Sequence, residues 1–165
     1  MAVSLTIEPR ISGSVTKTPT LGSVITFQLP SGTKKIFTNG AGANQISAAY
    51  AETRILAGSA SENLDLSGAL TDPLWNAVVL TKLKFLYVEN HADSSGNIIV
   101  GAGTAGIVGP FIAATNALTI APGGNVEIAN PSAGGYTVTA TTADILKVEN
   151  SGAGTSTYDI IIGGA

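Results

Sequence analysis

The sequence predicts an all-β fold, an antiparallel β-sandwich or barrel. Three observations carry this. Ile, Val and Thr supply more than a quarter of the 165 residues, and β-branched side chains fit a pleated surface better than a helix. The 20 glycines fall mostly in clusters, at 40–42, 101–109, 123–124, 134–135 and 152–154, and they punctuate short apolar runs as turns do. The spacers between runs are too short for the helical crossovers that parallel strands need.

Each element follows from local alternation. The stretch 3–7 sets Val3, Leu5 and Ile7 against Ser4 and Thr6, and 23–29 puts Ile25, Phe27 and Leu29 on one face. A short strand follows at 35–38. The run 45–57 reads as one long strand, with Tyr50, Glu52 and Arg54 facing one way and Thr53 and Ile55 the other. In 61–67, Leu64 and Leu66 oppose Asn63 and Asp65; a capping-box pattern from Ser59 to Glu62 is set aside because this alternation is strand-like. One short helix is predicted at 72–78, with Asp72 as N-cap, Pro73 at the first helical position, and Leu74 and Trp75 turned inward. The run 79–90 sets Leu80, Lys82, Lys84 and Leu86 against Thr81, Leu83, Phe85 and Tyr87. Further strands are expected at 97–101, 106–111, 117–121, 125–129, 135–140, 144–150 and 156–163.

Composition narrows the function. Charged residues are 12% of the chain and apolar residues 44%, against about 25% charge in an ordinary soluble domain. Eight scattered basic residues and a net charge of −3 argue against a nucleic-acid surface. With no cysteine there is no disulfide, thiolate nucleophile or Cys-bound metal. The first ten residues lack the basic and long apolar regions of a signal peptide, and no apolar run approaches the about 20 residues of a membrane helix. The expectation is a chain made in the cytoplasm, with no membrane partner.

The chemistry-bearing motifs are weak. Gly101-Ala102-Gly103-Thr104-Ala105-Gly106 is a formal GxGxxG, with Glu127 about 20 residues on. A dinucleotide site needs a helix opening at the third glycine, and Gly109-Pro110 forbids one. His91, the one imidazole, could be a general base oriented by Asp93 beside a serine nucleophile; the loop 90–97 reads instead as a polar hairpin with Ser95-Gly96 at its turn. Asp93, Ser94 and Asn97 are too few oxygens for a calcium site. Paired carboxylates could support glycoside hydrolysis; the candidates are Glu52, Glu62, Asp65, Glu127, Asp144, Glu149 and Asp159, and most sit at outward strand positions or beside turns, where solvated charges belong. Trp75 and the four tyrosines are spread along the chain, which favours packing over a sugar-stacking platform. The expectation is no enzyme, no cofactor and no metal.

From Asn44 onward the chain resembles a family of small virion proteins of tailed bacteriophages. The resemblance is carried by Tyr50-Ala51-Glu52-Thr53-Arg54-Ile55-Leu56-Ala57, by Ser61-Glu62-Asn63-Leu64-Asp65-Leu66-Ser67-Gly68, and by Lys82-Leu83-Lys84-Phe85-Leu86-Tyr87-Val88-Glu89-Asn90. It continues through Ile120-Ala121-Pro122-Gly123-Gly124 and 141–148 to Tyr158-Asp159-Ile160-Ile161-Ile162-Gly163. It implies a jelly-roll-like β-sandwich and a structural role as a capsid decoration or cement protein, or minor head protein. The implied partners are the chain itself, as trimer or dimer, and the major capsid protein, on the outside of the virion. The alternative is a tail- or fibre-associated, carbohydrate-binding β-sandwich module.

Residues 1–43 lie outside the resemblance, leaving 44–165 as the sandwich domain. The segment up to Gly42 holds Arg10, Lys17, Lys34 and Lys35 against Glu8, a local charge of +3 (four minus one), while the remainder is −6 (four basic against ten acidic residues). It reads either as an arm that reaches a neighbour or as the first strands of the sandwich. On the arm reading, Arg10, Lys17, Lys34 and Lys35 dock electrostatically, and Ile11, Val15, Leu21 and Ile25 supply the buried contact.

Overall fold

A computed structural model describes residues 4–7, 14–17, 25–28, 34–68, 70–72 and 75–165, the backbone alone being described at 14–17 and 25–28. Sixteen strands and no helix are found among the described residues. Two four-stranded antiparallel ladders form the body. One runs β13 (Asn125–Ala129), β10 (Lys82–Asn90), β16 (Ser156–Gly164), β6 (Ala48–Leu56), with the short β14 (Tyr136–Thr137) also on β10. The other runs β12 (Ala117–Ile120), β11 (Ile98–Gly101), β15 (Ile145–Asn150), β7 (Ser61–Asp65).

Counted in chain order, the first of these eight strands pairs the last, the second the seventh, the third the sixth and the fourth the fifth. That is a long hairpin folded over on itself, the jelly roll. Alternation sends one face of each ladder inward. Tyr50, Leu86, Val88, Tyr158, Ile160 and Ile162 from the first sheet meet Leu64, Ile98, Val100, Ile120, Leu146 and Val148 from the second in one continuous core.

The outer face of the first sheet carries a second layer. β1 (Leu5–Ile7), β4 (Lys35–Asn39) and β5 (Gln45–Ile46) form a small sheet, β4 and β5 running parallel. Ile7, Phe37 and Ile46 pack with Phe85 beneath, flanked by Tyr87 and Ile161. The stretch 45–57 therefore breaks at Ser47: Ile46 serves the added layer, and Ser47 N donates to Gly164 O as β6 joins the sandwich. β2 (Ser14–Lys17) and β3 (Ile25–Gln28) form a separate hairpin.

Strand β10 also departs from simple alternation. Its register against β16 shifts between Leu83 and Phe85, a bulge at Lys84. An extra residue re-phases the side chains. Leu83 thus joins Leu86 in the main core, while Phe85 faces the added layer. Lys84 is fully buried, and its Nζ donates to the carbonyls of Ala41 (3.0 Å), Gly42 (2.6 Å) and Gln45 (2.9 Å). Desolvation, and then Lys82, hold its pKa below the ordinary lysine value.

Two expected elements do not form. The helix at 72–78 is replaced by a hairpin of β8 (Leu70–Thr71) and β9 (Ala77–Val78); Pro73 and Leu74 lie outside the described residues. Asp72 does cap, but it caps a turn: its carboxylate accepts from Asn76 N at 2.8 Å, and Trp75 N donates to Asp72 O at 2.9 Å. Pairing buries Leu70 and Val78, which one isolated helical turn could not. Trp75 consequently points outward, 88% exposed. The strand expected at 106–111 is a series of turns, with Ile107 and Phe111 inserted into the core as loop anchors. Its β contact is a single bridge from Gly106 to Ile145, and Pro110 has no N–H with which to extend a ladder.

Candidate functional site

His91, Ser94 and the glycine-rich segment have defined partners in the fold. His91 Nε2 pairs with Asp159 at 3.1 Å rather than with Asp93. Asp159 also accepts from Thr53 Oγ1 at 2.5 Å. That hydroxyl first, and then His91, hold the Asp159 carboxyl below the ordinary carboxylate range. Ser94, the nearby hydroxyl, exchanges hydrogen bonds with the Thr157 backbone, tying loop to strand. In the GxGxxG segment, Ala105 O accepts from the amides of Asp144 and Ile145, and Gly106 N donates to Gly103 O. Those groups serve the fold, and no helix follows the third glycine.

One end of the sandwich is built from backbone contacts. A Cβ on Gly96 would lie 2.3 Å from Gly152 N, and one on Gly58 would lie 1.9 Å from Ala153 O. Between these turns sits the buried Asn150. Its Nδ2 faces the carbonyls of Leu56 (3.2 Å), Ala57 (3.0 Å) and Gly154 (2.8 Å), and its Oδ1 accepts from Gly152 N (2.9 Å) and Ser156 Oγ (3.0 Å).

Two of the candidate carboxylates are brought together. On edge strand β6, Tyr50, Glu52 and Arg54 share one face. Arg54 reaches Glu52 at 2.6 Å on its own strand and Glu62 Oε2 through Nε at 2.8 Å on β7 across the sandwich. The Tyr50 hydroxyl donates to Glu52, and Tyr158 donates to Glu62 Oε1 at 2.7 Å. The Tyr50 hydroxyl bond, and then Arg54, hold Glu52 below the ordinary carboxylate range despite some desolvation. Burial, then Glu52, pushes Tyr50 up to about 12; burial, then Glu62, pushes Tyr158 up as well. The guanidinium beside Glu52 favours the ionised form of that carboxyl, the opposite of what a general acid needs. The cluster closes the open edge between the two sheets.

Beside it lies a concavity of about 250 Å³ lined by Tyr50, Ala51, Glu52, Thr71, Asp72 and Trp75. Trp75 sits at a left-handed φ of 65°. This groove joins an exposed indole to two carboxylates. It corrects the expectation of an inward Trp75, and the cue for it, Asp72 closing a tight turn between Leu70 and Val78, is visible only once the hairpin is drawn.

Of the candidate assembly residues, Arg10, Ile11 and Leu21 lie outside the described residues. Val15, Lys17 and Ile25 stand on the β2–β3 hairpin, Lys17 opposite Ile25. Lys34 is exposed, just before β4. Lys35 Nζ lies 3.9 Å from Glu127 of β13, a basic residue of the N-terminal segment facing an acid of its own sandwich.

No family model matches the chain, and no curated protein or solved structure matches it.

Proposed function

We propose that the protein is a non-catalytic structural subunit of a tailed-bacteriophage particle, a decoration or cement protein that binds and stabilises the outside of the head shell after synthesis in the host cytoplasm. The observation that carries this reading is the surface. Charge is scarce, and large apolar side chains stand in solvent: Ile55 is 69% exposed and Ile112 87%, with Ile36, Val79 and Val108 also exposed. Interface cores are depleted of charge in this way. The jelly-roll order of the strands suits the reading, since this architecture serves in capsid and lectin domains alike. The test is localisation in intact particles by cryo-electron microscopy. Density for this subunit on the outer face of the head is the expected result; its absence from the head overturns the reading.

Trp75 supports a second reading, a tail- or fibre-borne saccharide-binding module. An exposed indole offers a stacking face to a sugar ring, and Glu52 and Asp72 in the same groove accept hydrogen bonds from its hydroxyls. Affinity electrophoresis through host surface polysaccharide tests it. Retardation abolished by Trp75→Ala supports this reading, and mobility unaffected by the polysaccharide overturns it.

A further inference from the structure

The four outer edges of the sandwich are unequal. Open strand edges invite pairing with another chain, and proteins guard them with charge, proline, bulges or brevity. The edge at β6 carries Glu52 and Arg54, that at β7 carries Glu62 and Asp65, and that at β13 carries Glu127 beside a two-residue β14. β12 reads Ala-Leu-Thr-Ile; at four residues it is short, but it carries no charge, proline or bulge. It lies within a stretch, Ser94 to Val126, that contains no Asp, Glu, Lys or Arg.

The alternation of β11 shows which groups of β12 point outward. Ser151 N donates to Asn97 O at 3.0 Å, so Asn97 and Ile99 bond toward β15. Ile98 and Val100 then bond toward β12, where their partners are Ile120 and Leu118. The N–H and C=O groups of Ala117 and Thr119 therefore face away from the sheet. Leu118 shares the face of the buried Ile120 and is itself 37% exposed, an unfinished end of the core. Next to it, a concavity of about 470 Å³ is lined by Phe111, Ile112, Asn116 and Leu118 among others. Ile112 holds a φ of 72°, a strained setting for a β-branched residue.

We infer that β12 is a dimerisation edge whose occupant is β12 of a second copy of this chain, paired antiparallel about a two-fold axis through Leu118. Charge selects the occupant. Two copies, each of net charge −3, repel over most of their surfaces, whereas this stretch brings no like charges together. Two-fold symmetry selects the geometry, because an antiparallel strand is complementary to itself. Ala117 of each copy exchanges both backbone bonds with Thr119 of the other. The two Leu118 side chains meet as a close cross-strand pair, and the two four-stranded sheets become one of eight. This holds whether or not the protein sits on a phage shell.

Sedimentation equilibrium on the full chain across a concentration series tests it. The wild-type mass is expected to rise from 16.5 kDa to twice that value. Thr119→Pro removes an outward N–H without touching the β11 ladder, a position where an edge strand tolerates proline. Leu118→Glu sets two like charges opposite each other. Each variant is expected to raise the dimer dissociation constant at least about tenfold, equivalent to about 1.4 kcal/mol, with an unchanged far-UV spectrum. Added salt is expected to restore part of the Leu118→Glu loss. Should Thr119→Pro not fold, Leu118→Glu decides alone. A wild type that stays at the chain mass, a three-chain species, or a folded variant with wild-type association overturns the inference; particle localisation is a separate readout, so the capsid reading stands or falls independently.

Discussion

Replacing Asn150 with alanine tests whether the buried amide holds one end of the sandwich together. Its Oδ1 accepts from Gly152 N and Ser156 Oγ, and its Nδ2 has two hydrogens to share among the carbonyls of Leu56, Ala57 and Gly154. Four bonds are therefore saturated at once, and the side chain is fully buried. At about 1 kcal/mol net each, Asn150→Ala is expected to lose about 3–4 kcal/mol, a large share of the roughly 5–15 kcal/mol by which domains are stable. Urea unfolding followed by circular dichroism measures it, and an unchanged denaturant slope confirms that only the folded state has been altered. Asn150→Asp adds a sign test. It keeps the acceptor but turns a carboxylate toward carbonyl oxygens, so its folded pKa is raised above the unfolded value. The lost stability is then recovered as pH falls through the folded pKa toward the unfolded one. A loss below about 1 kcal/mol for the alanine variant, where an unmade buried bond costs about 1–3 kcal/mol, or a pH-independent aspartate variant, refutes the argument.

Three further outcomes follow from the geometry. Gly96→Ala drives a methyl into the Gly152 backbone at 2.3 Å; a loss of at least about 2 kcal/mol is expected in the same urea assay, as for other overpacked sites. Lys84→Met leaves the carbonyls of Ala41, Gly42 and Gln45 without their charged donor. A loss of about 2–3 kcal/mol is expected, together with faster hydrogen exchange at the amides of Thr38 and Gly40, which bond within the same layer. Asp159 and Glu52 have depressed carboxyl pKa values, so their contribution is present above the unfolded carboxylate range and lost as pH falls through the folded values. The melting temperature is expected to fall as pH drops below the ordinary carboxylate range, ~4, and the fall should be shallower in Thr53→Val, which removes the first cause of the Asp159 shift; parallel curves would count against it.

Much of the ladder was legible because strands half-buried in a sandwich must alternate. The segment 125–129 forms as read, and Tyr50, Glu52 and Arg54 share the face that their spacing implies. Period-two reasoning fails where one residue is added: no pattern in Leu83-Lys84-Phe85 announces a bulge, and Lys84 has the side chain least expected to be buried. It also fails at Ile107 and Phe111, whose spacing suits a strand but whose burial is that of loop anchors. The expectation of an inward Trp75 fails because Asp72-Pro73 is as good a turn opening as a helix opening; the deciding fact, that Leu70 pairs with Val78 eight residues on, rests on strands of two residues each, too short for alternation to announce. The want of charge around β12 stands in the sequence, but its meaning does not. Whether a strand lies at an edge is a property of the topology, and that emerges only when β11 is seen between β12 and β15.

The pairing of β6 with β16 sets an order of events in time. β16 lies between β10 and β6 in its sheet, yet it follows every other described strand along the chain. While the polypeptide leaves the ribosome, β6 and β10 must wait with their facing edges open for a partner about a hundred residues behind β6. Closing so distant a contact puts the fold among the slow, non-local topologies, which mature in milliseconds to seconds. Each newly made chain thus passes through a period when its unfinished sheet is exposed to every other nascent copy. High-level synthesis should favour inclusion bodies unless growth is slowed or cooled.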